Sequence, residues 1–123
     1  MIVIDTSAVI AVLENEDDAD FYIQQLEEAI APVMSSATYV ELCAVMSHKR
    51  GDKSLVIVDR FIKDAEISIE SFTQEQAKLA RDAYIKYKIL NLGDSYSYAL
   101  AKSTGMPLLF KGNDFSQTDL KLV

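Results

Sequence analysis

Residues 1–13 read MIVIDTSAVIAVL, from Met1 to Leu13. Met1–Ile4 is fully apolar, as expected of a strand covered on both faces of a parallel sheet. Asp5, Thr6 and Ser7 are helix-starting residue types, and AVIAVLEN continues as a helix. In parallel α/β sheets, ligands bind beyond the C-terminal ends of the strands, and Asp5 stands at such an end. Two readings of it are open at this point: a helix N-cap, worth about 1 kcal/mol, or a metal ligand or general base.

The rest of the chain repeats the alternation. EDDADFYIQQLEEAI places Ala19, Tyr22, Ile23, Leu26, Ala29 and Ile30 at helical spacing, and Pro32 stops that helix. PVMSSA reads as a second strand ending at Ser35 and Ser36. TYVELCAVMSHKRG reads as a helix with basic residues in its last turn and Gly51 as its cap. DKSLVIVDRFIKDA fits a helix with Leu55, Val58, Phe61 and Ile62 as its stripe, although LVIV also suits a strand. ISIESF alternates and is expected to be a strand. TQEQAKLARDAYIKYK opens with Thr73 and has Gln76 three residues on, the pattern of a capping box. GDSYSYALAKSTG is a small-residue helix closed by Gly105. MPLLF is a buried-strand run, GNDF a turn and DLKLV a last strand. Strands alternating with helices predict an α/β fold with a mainly parallel sheet flanked by helices.

With 123 residues, half of them hydrophobic, the chain is expected to form one domain, residues 1–123, with a proper core. Its 4 Gly and 2 Pro leave no obvious linker. One cysteine, Cys43, excludes an internal disulfide and fits a reducing cytoplasm. No apolar run is long enough for a membrane span, and the N-terminus lacks the pattern of a signal peptide. The 12 basic and 19 acidic residues give a net charge of −7. That balance argues against broad counterion-release binding of nucleic acid, allows carboxylates clustered around metal ions, and favours a basic partner.

The acids carry the chemistry. Glu41 lies on a helix face with Ala37, Thr38, Ala44 and Val45, small and largely apolar. A carboxylate there is expected to be partly buried and to need a cation or hydrogen bonds; an ordinary ion pair is the plain alternative. Asp94 opens the DSYSYALAKSTG helix, as an N-cap or first-turn acid or as a ligand. Asp114 follows the MPLLF strand, as a turn acid or a ligand. Asp17, Asp18, Glu27 and Glu28 read as solvated, and Asp119 is a weaker candidate. Acids at the end of the first strand, on the helix after the second, and on either side of the fourth can meet at one sheet edge. Several carboxylates so placed repel and raise one another's pKa. Mg²⁺ or Mn²⁺ relieves that repulsion, and such a site supports in-line displacement at phosphorus.

MIVIDTSAV, TYVELCAV, NLGDSYSYALAKSTGMPLLFKGNDF and the closing TDL together resemble the PIN-domain ribonucleases, and more narrowly the VapC-type toxins of toxin–antitoxin pairs. The resemblance covers nearly the whole chain and keeps the motif order. It implies a PIN-like α/β/α sandwich and a Mg²⁺- or Mn²⁺-dependent endoribonuclease. It also implies an RNA substrate, tRNA-like or otherwise structured, a cognate antitoxin, and a homodimer. Its three core acids fall on Asp5, Glu41 and Asp94, with Asp5 and Asp94 on metal and Glu41 there directly or through water. Thr6 or Ser7 falls near the metal as a helper. The fourth acid falls on Asp114, with Asn113 as a polar substitute. The chain departs from many relatives in its short YIKYKILNLGD segment and in its acidity.

Other residues are less informative. His48, the sole histidine, suits a helix C-terminus, and no G-x-S-x-G turn accompanies it. Cys43 reads as a core thiol. Lys49, Arg50, Lys53, Lys86, Lys88, Lys102 and Lys111 are the cations available to guide RNA. Tyr87, between Lys86 and Lys88, suits base stacking. Two alternatives remain: a catalytically silent PIN-like module that only binds a partner, and a receiver-type phospho-signalling domain. The first would have lost a core acid. The second needs an acidic pair after the first strand, where this chain has Thr6 and Ser7.

Overall fold

A computed structural model describes all residues, 1–123. The elements are β1 (Ile2–Ile4), α1 (Thr6–Leu13), α2 (Ala19–Glu28), β2 (Pro32–Ser35), α3 (Ser36–Arg50), α4 (Ser54–Asp64), β3 (Ser68–Glu70), α5 (Gln74–Lys86), α6 (Leu92–Thr104) and β4 (Leu108–Leu109). All strand pairs are parallel, in the order β3-β2-β1-β4. Val3 lies opposite Val33 on one side and Leu108 on the other. The fold is therefore the expected α/β/α arrangement. No helix is long and apolar enough to cross a membrane.

The helices cover the sheet with two cores. Ile2, Ile4 and Met34 pack with Val9 of α1, Tyr22 and Leu26 of α2, Leu42 and Met46 of α3, and Val58 and Ile62 of α4. Val3, Val33 and Leu108 pack on the other face with Ala83 of α5, Tyr98, Leu100 and Ala101 of α6, and Phe115. Alternate residues of β1 thus enter opposite cores, which explains why Ile2–Ile4 carries no polar residue.

The LVIV ambiguity resolves as helix. Val58 is buried while Val56 and Ile57 are 64% and 56% exposed, the one-sided pattern of a surface helix. The expected strand in ISIESF is present as β3, an edge strand with Ile69 41% exposed and Ile67 buried beside it. Three sequence expectations need correction. DLKLV is not a strand: Leu122 makes one isolated parallel bridge to Leu108, with Lys121 and Val123 bonded to Leu108 on either side, because β4 offers only two residues to pair with. The α2 helix ends at Glu28, and Ile30 projects into solvent. The capping box at Thr73 is half made: Thr73 accepts from the Gln76 amide, but the Gln76 side chain turns inward and its Oε1 lacks a partner.

The parallel order puts the C-terminal ends of β1, β2 and β4 along one edge. Each of β1 and β2 runs directly into a helix there, capped by Asp5 and Ser35 respectively. The candidate acids gather along that edge.

Candidate active site

Asp5 is 3% exposed, and its hydrogen bonds meet the N-cap reading. Its Oδ2 accepts the Ser7 amide at 3.1 Å and the Ser7 hydroxyl at 2.7 Å, which caps α1. Its Oδ1 accepts the Ser97 hydroxyl from α6 at 2.5 Å. Ser97 in turn lies 3.3 Å from the Thr38 hydroxyl of α3. A carboxylate has about four lone-pair sites, so these bonds fix the group without exhausting it. Burial pushes the Asp5 carboxyl above its ordinary value, while the Ser97 and Ser7 hydrogen bonds pull against that.

Glu41 projects from the second turn of α3 and is half-buried, as its small-residue face predicts. Thr6 donates to its Oε1 at 2.5 Å. Burial first, and the Asp5 charge after it, raise its pKa against the pull of Thr6. Its outer oxygen lies against the backbone of Gly93.

Asp94 is the third residue of α6 rather than its first. Asn91 is the N-cap, and the two form a reciprocal capping box, with bonds of 2.8 and 3.0 Å. Burial pushes the Asp94 carboxyl up to about 7; the neighbouring Asp114 side chain and the charge of Asp5 push the same way, while the Asn91 amide pulls it down. Asp114 therefore joins the site. Asn113 does not: it is exposed, and its carbonyl closes a turn by accepting the Ser116 amide and hydroxyl. Ser7 links the two ends of the site, since its hydroxyl also accepts the Lys111 amide at 2.9 Å.

All donors at this edge are oxygens, with no sulfur or imidazole among them. That is the chemistry preferred by Mg²⁺ and Mn²⁺. No three of the acids close into a ready-made ligand cage. Asp5 and Asp94 are the buried acids of this edge, and Glu41 and Asp114 are half-buried beside them.

Several other sequence candidates lie elsewhere. Asp119 accepts from Tyr98 at 2.7 Å and Lys102 at 2.6 Å, and these partners lower its pKa to about 2. Lys111 pairs with Glu16 and with Asp18 at 2.9 Å, so Asp18 is not simply solvated. Tyr87 is half-buried against Tyr98, with ring centroids 5.8 Å apart, and so is not a free stacking platform. His48 is exposed at the end of α3. Sequence reasoning missed Ser97 as a partner of Asp5, Thr38 as the partner of Ser97, and Gly93 as the neighbour of Glu41. The small residues near Asp94 were the available signal.

A parallel sheet with carboxylates gathered where its strands end defines a PIN-type site, and the PIN domain family model matches residues 2–121. Ribonuclease VapC42 of Mycobacterium tuberculosis is 41% identical over 126 residues, spanning 97% of this chain and 96% of that protein. Ribonuclease VapC28 of the same species is 40% identical, spanning 97% and 95%. The chain thus belongs to the PIN-domain family, among its VapC ribonucleases. Among solved structures, the sarcin-ricin loop cleaving toxin VapC20 of M. tuberculosis superposes with a TM-score of 0.83 at 14% identity, covering 98% of this chain and 96% of that one. A toxin–antitoxin complex from Klebsiella pneumoniae superposes at 0.75 and 19% identity, covering 100% and 96%. These two establish the shared fold. Family membership removes the receiver-type alternative.

Proposed function

We propose that the protein is a metal-dependent endoribonuclease and the toxin of a toxin–antitoxin pair. The observation that carries this reading is the convergence of Asp5, Glu41, Asp94 and Asp114, from four separate segments, within a family of ribonucleases. Burying acids together with raised pKa values is costly for a structural protein and useful to one that binds a cation.

Asp5 and Asp94 would hold Mg²⁺ or Mn²⁺, with Glu41 reaching the ion directly or through water; Ser7 and Ser97 fix Asp5, and Asn91 fixes Asp94. When bound, the ion would supply charge neutralisation at the phosphoryl oxygens and make water a stronger nucleophile near neutral pH. Glu41, set by Thr6, orients the attacking water by accepting its hydrogen bond. A water oxygen–phosphorus bond forms, the bond from phosphorus to the ribose O3′ breaks, and the proton passes to O3′. The products carry a 3′-hydroxyl and a 5′-phosphate.

The antitoxin is expected at the groove between α2 and α4. Ile23, Leu26, Ala29 and Phe61 form its apolar floor, and Glu27, Asp64 and Glu66 its acidic rim. A basic amphipathic segment fits that chemistry. A second face, with Tyr84, Ile85, Leu92 and Tyr96, continues past Val40 to Glu41. Its exposed apolar area beside the site supports a homodimer, which sedimentation velocity would detect. The half-buried free thiol of Cys43 is compatible with cytoplasmic residence.

The test is cleavage of total cellular RNA with Mg²⁺, with Mn²⁺ and with EDTA. The reading predicts discrete products with either metal and none in EDTA. A partner-binding module that is silent as a nuclease predicts no metal-dependent product.

A further inference from the structure

Gly93 is the second residue of α6, a position where glycine weakens a helix relative to alanine. Its backbone does not need glycine: the residues with positive φ are Asn15, Glu66, Gly51, Gly105 and Gly112. What the position needs is the absence of a side chain. A Cβ built on Gly93 would lie 1.4 Å from Glu41 Oε2 and 2.2 Å from its carboxyl carbon. No other glycine of the chain has any atom within 4 Å of its Cβ position. The Glu41 carboxylate therefore occupies the volume that any other residue at this position would fill.

We propose that Gly93 is a positioning residue of the nuclease site: its missing side chain admits the Glu41 carboxylate to the place where Thr6 holds it. The inference rests on the role given to Glu41 above. Glu41 is held from two sides, by the Thr6 hydroxyl on Oε1 and by the Gly93 backbone against Oε2. The obstructed atoms are the far end of a flexible side chain, so the fold can accept Gly93→Ala by letting Glu41 swing away. Space exists for that swing, in the groove lined by Val40, Ala44, Leu92 and Tyr96. The Thr6 bond would then break. The substitution is expected to spare folding and to displace the acid.

The experiment is a double-mutant cycle of Gly93→Ala and Glu41→Ala. It is read by thermal melting, by Mn²⁺ binding measured calorimetrically, and by RNA cleavage. Gly93→Ala is expected to weaken Mn²⁺ binding and slow cleavage as much as Glu41→Ala does. Adding Gly93→Ala to Glu41→Ala is expected to cost nothing further in binding or rate. It should also raise the melting temperature more in the Glu41→Ala background than in wild type, because the clash is gone and alanine favours the helix. Wild-type Mn²⁺ binding and cleavage by Gly93→Ala, beside an impaired Glu41→Ala, would overturn this inference alone. So would equal losses in both backgrounds, or failure of both Gly93→Ala and the double variant to fold. A Glu41→Ala protein that binds Mn²⁺ and cuts as wild type would overturn the role of Glu41 itself, and this inference with it.

Discussion

Ser97, on α6, donates its hydroxyl to Oδ1 of Asp5 at the end of β1, across 92 residues of sequence. Both are buried, at 0% and 3% exposure. The bond fastens the first acid of the site to the helix that carries the third, so the distance between Asp5 and Asp94 is set by a rigid element and not by a loop.

Ser97→Ala leaves a buried carboxylate short of a donor, which costs about 1–3 kcal/mol of stability. It also removes the largest interaction opposing the rise of the Asp5 pKa. Cleavage should therefore fall, and the acid limb of its pH profile should move to higher pH. An unchanged profile would show that Ser97 does not influence the ionisation of Asp5.

Asp114 and Asn113 are separable. Asp114 meets Asp94, whereas Asn113 faces solvent from a turn. Asp114→Asn is expected to reduce cleavage by roughly 10-fold or more, in line with loss of one electrostatic group from a site. Asn113→Ala is expected to leave it near wild type. Rates measured on one RNA at fixed Mg²⁺ decide between them.

The metal-free protein should lose stability as pH rises. Asp5, Glu41 and Asp94 all have raised pKa values in the fold, so between the ordinary and the raised values the folded state binds more protons than the unfolded. For Asp94 that window runs from 3.8 to about 7. Asp119 works the other way, but its contribution is complete above its ordinary 3.8 and is lost only toward about 2. In EDTA, the melting temperature should be higher at about pH 5 than at about pH 8. Asp94→Asn should remove part of that slope. A flat or rising profile would contradict the shared burial of these acids.

Much of this site was legible because charge is conspicuous in a sequence. Asp5 follows a strand with no polar residue, and Glu41 sits on a face of small residues where a carboxylate needs a reason. Gly93 and Ser97 carry no charge, and their roles exist only once α6 lies against β1 and α3. The same limit explains the errors. DLKLV has the composition of a strand, but whether a segment pairs depends on the neighbour available along its length, and here β4 offers enough for a single bridge. Gln76 stands three residues after a good N-cap, yet packing turned its side chain inward. Tyr87 lies between lysines in sequence while its ring belongs to a core.

The groove between α2 and α4 offers an independent test of partner binding. Its rim acids Glu27 and Asp64 are exposed and away from the catalytic acids. Replacing both with lysine should weaken antitoxin binding roughly 10-fold or more, because like charges then face a basic segment. Cleavage by the free protein should not change. Unaltered affinity, measured by calorimetry with the purified antitoxin, would move the partner to another face.

The proposed chemistry depends most directly on Asp5. Asp5→Asn keeps the volume and the cap of α1 while removing the charge. With the fold verified by circular dichroism and contaminating nuclease excluded, Mg²⁺-dependent RNA cleavage should drop by roughly 100-fold or more. Cleavage by Asp5→Asn at the wild-type rate would contradict the site.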